Sequence, residues 1–179
     1  MRLLLIRHCE SSGQAPEAPL TPNGARAAVD LAGRLADLGV DAAYSSPFVR
    51  AQQTLLPFTK PRGLPLTLDD RLAERRLSPA PRVDWLELIR RSFDDFDHAV
   101  PGGESLREAQ RRAIAALADV AAREHRLPAV VTHGNLLSSV LRHADASFGF
   151  EAWQSLRNPD LFIVTMGRGR PLAFERLEP

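Results

Sequence analysis

Apolar residues along this chain fall into two patterns, short uninterrupted runs and helical stripes. Leu3-Leu4-Leu5-Ile6 and Ala129-Val130-Val131-Thr132 are runs without a polar face, which predicts buried strands of an α/β sheet. Ala25, Ala28, Val29, Leu31, Ala32, Leu35 and Leu38 recur at helical spacing. Thr21-Pro22 supplies a cap and a first-turn proline for that helix, and Gly39 stops it. Val40 to Tyr44 and Leu64 to Leu68 are further strand candidates. Ser46-Pro47 repeats the cap-plus-proline signal and predicts a helix through about Leu56. Residues 11–20 and 69–82 read as irregular.

The second half continues the alternation. Val83 to Phe96 is expected to be helical, with Trp85, Leu86, Leu88 and Ile89 facing inward. Pro101-Gly102-Gly103 breaks the chain, and Ser105-Leu106-Arg107-Glu108 is a capping box that opens an alanine-rich helix to about Glu124. Leu136 to Ala144 is helical. Leu161 to Met166 and Pro171 to Arg176 form a hairpin around Gly167-Arg168-Gly169. Strands alternating with helices predict an α/β fold with helices on both faces of the sheet. The closing hairpin makes that sheet mixed, though mostly parallel.

Length and composition narrow the class. With 179 residues, one compact domain over 1–179 is expected. The net charge of +1 favours neither nucleic acid nor an anionic membrane as a partner. Lys60 is the only lysine, so arginine carries the positive charge; composition bias suffices to explain most of it. The single cysteine, Cys9, excludes an internal disulfide and fits a reducing, cytoplasmic setting. No apolar run reaches transmembrane length, and the N-terminal one is too short for a signal peptide.

Both buried runs deliver chemistry at their C-terminal ends, where open α/β sheets place ligands: the first leads into Arg7-His8-Cys9-Glu10, the second into His133-Gly134-Asn135. A neutral imidazole is a nucleophile, and arginine's planar fork matches phosphate oxygens. Phosphoryl transfer needs positioning and charge neutralisation, which two histidines and two arginines supply without a metal. Arg50, after the strand end at Tyr44-Ser45-Ser46, is the second arginine, placed near a helix's positive end.

The motifs Arg7-His8-Cys9-Glu10, Leu20-Thr21-Pro22-Asn23-Gly24, Ser45-Ser46-Pro47-Phe48-Val49-Arg50-Ala51-Gln52-Gln53-Thr54, Leu72-Ala73-Glu74-Arg75, Pro101-Gly102-Gly103-Glu104-Ser105 and Thr132-His133-Gly134-Asn135 follow one another across most of the chain. In this order they resemble the histidine phosphatase superfamily, also called phosphoglycerate mutase-like. The resemblance implies a three-layer α/β/α sandwich, a metal-independent phosphomonoesterase, no cofactor, and a small phosphorylated metabolite as substrate. It implies His8 as the nucleophile that becomes phosphorylated and Arg7, Arg50 and His133 as the phosphate pocket. It makes Glu74 the acid for the leaving group and the base for the attacking water. Asn135 and Gln14 are further phosphate-pocket candidates. Where Gln14 stands the family often has asparagine, and where Cys9 stands it usually has glycine.

Other readings of the same residues stay open at this point. Glu74 lies among Arg71, Arg75 and Arg76 and fits a solvated ion-pair cluster. Cys9 with His133 fits a thiol site, and His8, Cys9 and His133 a zinc site, although no metal-ligand spacing accompanies them. His98, His125 and His143, with Arg90-Arg91 and Arg111-Arg112, read as surface residues. A phosphoglycerate mutase is the nearest alternative enzyme, disfavoured by the short stretch between Glu74 and Pro101. A non-catalytic phospho-ligand module has no need of the histidine nucleophile.

Overall fold

Leu3, Leu4, Leu5 and Ile6 are each at most 1% exposed, on a strand covered from both sides. Side chains alternate along a strand, so Leu3 and Leu5 join a cluster with Leu117, Leu136 and Val140, while Leu4 and Ile6 join Leu31, Leu35, Leu55 and Phe58. Each fully buried leucine is worth about 1.5–3 kcal/mol relative to exposure. This explains why an unbroken apolar run, rather than an alternating one, marks the central strand.

The computed structural model describes residues 1–178. Residue 179, the last of the expected domain, lies outside the described residues. Strands β1 (Arg2–Arg7), β2 (Ala42–Ser45), β3 (Leu66–Leu68), β4 (Pro128–Thr132), β5 (Asp160–Gly167) and β6 (Arg170–Arg176) form one sheet in the order β3-β2-β4-β1-β5-β6. β1, β2, β3 and β4 are mutually parallel; β5 runs antiparallel to β1, and β6 antiparallel to β5. Helices α1 (Pro22–Asp37) and α2 (Val49–Thr59) supply one buried cluster. Helices α4 (Leu106–Ala121) and α5 (Gly134–Ala144) supply the other. α3 (Trp85–Asp94) and α6 (Phe150–Gln154) pack on each other through Phe93 and Phe150. The result is the expected α/β/α sandwich on a mostly parallel mixed sheet. No helix among the described residues is long and apolar enough to cross a membrane.

The caps follow the sequence at two helices. Thr21 accepts the Gly24 N–H, and Ser105 and Glu108 make both halves of a capping box. Elsewhere the structure corrects the sequence reading. α2 begins at Val49 with Phe48 as its N-cap, so Ser46 does not cap it. Val49 N–H donates instead to the carbonyl of Pro16 at 2.9 Å, which frees the Ser46 hydroxyl for another partner. Trp85 and Leu86 are 48% and 41% exposed rather than inward. The cluster of Ile89, Phe93 and Leu106 covers only the later turns of α3, so its first turn overhangs into solvent. Arg112 is not a solvated helix residue: its Nε and Nη2, on one guanidinium edge, pair with both carboxylate oxygens of Glu104 at 2.7 and 2.8 Å. His125 is half-buried and its Nε2 lies 2.8 Å from the Tyr44 hydroxyl.

Candidate active site

Strand register brings the two histidine-bearing ends together. Arg7 lies opposite Thr132 in the β1–β4 ladder, and His8 N–H donates to the Thr132 carbonyl at 3.0 Å. The His8 and His133 rings meet edge to face, with centroids 5.0 Å apart.

His8 is 7% exposed. Its Nδ1 lies 2.6 Å from the Cys9 carbonyl, an acceptor only, so Nδ1 carries the proton. Nε2 is then a lone pair, and Arg50 donates its Nε–H to it at 3.1 Å. Burial, with the charges of Arg50 and Arg7, lowers the pKa of His8 from 6.5 to about 4. The imidazole is therefore neutral and nucleophilic at neutral pH.

His133 is fully buried, and its Nε2 lies 2.7 Å from the Ser46 hydroxyl. Ser46 Oγ accepts the Phe48 N–H at 3.2 Å, and among the described residues its own proton finds an acceptor only in His133 Nε2, which places the ring proton of His133 on Nδ1. Burial, with the nearby His8 and arginines, keeps this imidazole far below its ordinary pKa as well. Phe48 packs edge-on to His133 at 4.8 Å and lies under the Arg50 guanidinium at 4.9 Å. Ser46 and Phe48 are supporting residues whose roles the sequence motif contained without displaying them.

Arg50 is 1% exposed. Its Nη1 donates to the carbonyls of Gln14 and Ala15 at 3.2 and 2.8 Å. Gln14 thus reaches the site through its main chain, while the residue as a whole is exposed. Arg7 donates from Nη1 to the Leu156 carbonyl at 2.8 Å. A Cβ at Gly134 would stand 3.2 Å from Arg7 Nε and 3.4 Å from Trp153 Nε1, so glycine lets the guanidinium lie against the start of α5.

Glu74 is half-buried and does not form a solvated ion-pair cluster. Its Oε1 accepts from Arg75 N–H and Leu136 N–H at 2.9 Å each, and its Oε2 accepts from Asn135 N–H at 3.0 Å. It therefore caps the N-terminus of α5, the helix that follows His133. It is near enough to Arg7 and Arg50 to act on both through its charge. Asn135 is 5% exposed and accepts from Arg75 Nη1 at 3.3 Å.

Four buried side-chain polar atoms among the described residues have no protein partner, and three of them are Arg7 Nε, His133 Nδ1 and Asn135 Nδ2. All three are donors at residues the sequence singled out. Neither Arg7 nor Arg50 has a carboxylate within ion-pair distance among the described residues. Buried cations without paired carboxylates suit an anionic ligand. Cys9 is fully buried, burial raises its thiol pKa to about 11, and its N–H donates to Thr54 Oγ1 at 3.0 Å; it is packing rather than nucleophile. Among the described residues no three His, Cys, Asp or Glu side chains are grouped to hold a metal ion.

Comparison with known proteins converges on one family. The model of the histidine phosphatase superfamily, branch 1, matches residues 3–174. A protein of Hydrogenobacter thermophilus provisionally named phosphoserine phosphatase 2 is 28% identical over 155 residues, covering 78% of this chain and 76% of its own. One of Salmonella paratyphi B, provisionally named phosphoglycerate mutase GpmB, is 28% identical over 88% of this chain and 79% of its own. The solved structure of Bacillus stearothermophilus YhfR superposes with a TM-score of 0.78 at 24% identity, covering 98% of this chain and 94% of that one. With that match spanning nearly its whole length, this chain belongs to the histidine phosphatase superfamily.

Proposed function

We propose that the protein hydrolyses phosphomonoesters of small metabolites through a phosphohistidine at His8. The observation that carries this reading is the state of His8: neutral, tethered at Nδ1, with the Nε2 lone pair facing Arg50, and the His133 ring 5.0 Å away. The phosphoryl group takes the Arg50 Nε–H in place of Nε2, while Arg7 Nε and His133 Nδ1 donate to its other oxygens. Nε2 then bonds to phosphorus as the bond to the leaving oxygen breaks. The leaving oxygen takes a proton from Glu74. Oε2 is the oxygen with only one protein donor, so the proton sits there. Water next attacks phosphorus, gives a proton back to Glu74, and releases inorganic phosphate and His8. Asn135 and the Gln14 segment belong to the same pocket in this reading.

Residues 1–179 act as one catalytic domain in this proposal, which a single sheet containing both β1 and β6 supports. The reaction is placed in the cytoplasm because Cys9 is a lone buried thiol. The relative from Salmonella supports a second reading, phosphoglycerate mutase. A panel of phosphomonoesters assayed with EDTA separates the two. Release of inorganic phosphate with chelator present is the expected result. Isomerisation of a phosphoglycerate without net phosphate release favours the mutase, and activity that chelation removes and zinc or magnesium restores contradicts both.

A further inference from the structure

We propose that Arg75 is a positioning residue that fixes Glu74 and the amide of Asn135 on the leaving-group side of the pocket; this rests on the acid role of Glu74. Arg75 is 6% exposed, and its guanidinium makes no ion pair with a carboxylate among the described residues. Its acceptors are all neutral and come from three segments, α3, the connection between α3 and α4, and α5. Nε donates to the Glu104 carbonyl at 2.7 Å, Nη2 to the His98 carbonyl at 3.4 Å, and Nη1 to Ser92 Oγ at 2.7 Å and Asn135 Oδ1 at 3.3 Å. A buried cation with neutral partners is a costly arrangement for stability alone, because its desolvation is not offset by an opposite charge at contact distance.

What the arrangement does secure is geometry. Bonding of Oδ1 to Arg75 fixes which way the Asn135 amide faces, so Nδ2 remains a buried donor without a protein partner. The same peptide unit of Arg75 donates its N–H to Glu74 Oε1, and Asn135 N–H donates to Oε2. Arg75 therefore holds the carboxylate through its own N–H and bonds Asn135, one of the two α5 residues whose N–H groups also hold it. Its other partners lie in α3 and in the connection between α3 and α4. Arg112 holds the preceding stretch through the carbonyls of Arg71 and Ala73, at 2.7 Å each. The acid-bearing segment is pinned along its length, with Arg75 at the end nearest the chemistry.

The test compares Arg75→Gln with wild type in two ways. In ¹⁵N-labelled protein, the Asn135 side-chain amide should shift and broaden in the variant while the core amides of β1 and β4 stay in place. In kinetics, kcat for an alkyl phosphate should fall at least about tenfold, a fraction of what a general acid supplies. Turnover of p-nitrophenyl phosphate should fall far less, since its leaving group needs no acid. Ser92→Ala removes one Arg75 acceptor without touching Glu74 or Asn135, and should show the same pattern more weakly; it decides the matter if Arg75→Gln does not fold. An unmoved Asn135 amide, or equal losses on both substrates, overturns the proposal. A wild-type chain that hydrolyses no phosphomonoester counts against the phosphatase reading alone, and the Asn135 amide then decides the role of Arg75 by itself.

Discussion

Arg50 directs its Nε–H at Nε2 of His8 across 3.1 Å, so the proposed phosphate-binding cation covers the lone pair of the proposed nucleophile. In the proposed reaction the contact ties binding to reactivity: an anion that draws Arg50 onto its own oxygens uncovers Nε2 of His8. Loss of the guanidinium removes a preorganised charge from a water-poor site. Arg50→Ala should cost about 10²–10³ in kcat/KM, comparable to losing one oxyanion donor. Arg50→Lys should recover little of this, because an ammonium cannot contact Gln14, Ala15 and the phosphoryl group at once. Steady-state kinetics on one good substrate checks both.

His8 also makes stability depend on pH. Its pKa falls from 6.5 unfolded to about 4 folded. Between those values the unfolded chain binds a proton that the folded chain does not. Stability is thus fully present above pH 6.5 and is lost as pH falls toward 4, by about 3 kcal/mol for this group. His133, shifted the same way, adds to the slope. Urea unfolding at pH 7 and pH 4.5 should show a clear drop for wild type and a smaller one for His8→Asn.

Gly134→Ala tests how closely Arg7 must approach α5. The added methyl meets Arg7 Nε at 3.2 Å and Cζ at 3.3 Å. Either the guanidinium or the helix start must move a few tenths of an ångström. Stability should change by less than about 1 kcal/mol, since alanine favours the helix that the contact disfavours. kcat/KM should fall about tenfold, as catalysis tolerates misplacement poorly. Thermal unfolding paired with kinetics separates the two effects.

Sequence patterning revealed the sheet and the pocket because both rest on local signals. Buried runs are legible where every side chain is apolar, as in Leu3–Ile6, and strand ends mark where His8 and His133 emerge. The support around them was not legible. Ser46 reads as a cap from its neighbour Pro47, but the carbonyl of Pro16 fills that need and frees the hydroxyl for His133. Arg112 and Arg75 look like surface charges because sequence spacing says nothing about the carbonyls that surround them after folding. The Phe150–Gln154 helix is too short to show a period. Trp85 and Leu86 fit the inward stripe, yet the stripe outruns the surface it packs on. Glu74 lies at the start of α5, held by main-chain N–H groups of α5 and of Arg75 rather than by the guanidinium groups beside it in sequence.

Glu74→Gln separates acid catalysis from helix capping. A glutamine oxygen at the Oε1 position still accepts from Arg75 and Leu136 N–H, and only the Asn135 N–H bond is given up, so the fold should survive. An alkyl phosphate, whose leaving oxygen needs a proton, should slow by about 10²–10⁴. p-Nitrophenyl phosphate leaves as a stable anion and should slow far less. Equal losses on the two substrates make Glu74 a structural cap and move the search for the proton donor to Glu10 and Glu104.

The most direct measurement of the central claim is trapping of the intermediate. Wild-type protein mixed with a ³²P-labelled substrate and quenched in alkali should carry one acid-labile, alkali-stable phosphate, located by peptide mapping to His8. His8→Ala should carry none and show no turnover while remaining folded. Label on another residue, or near-wild-type turnover by His8→Ala, contradicts the account.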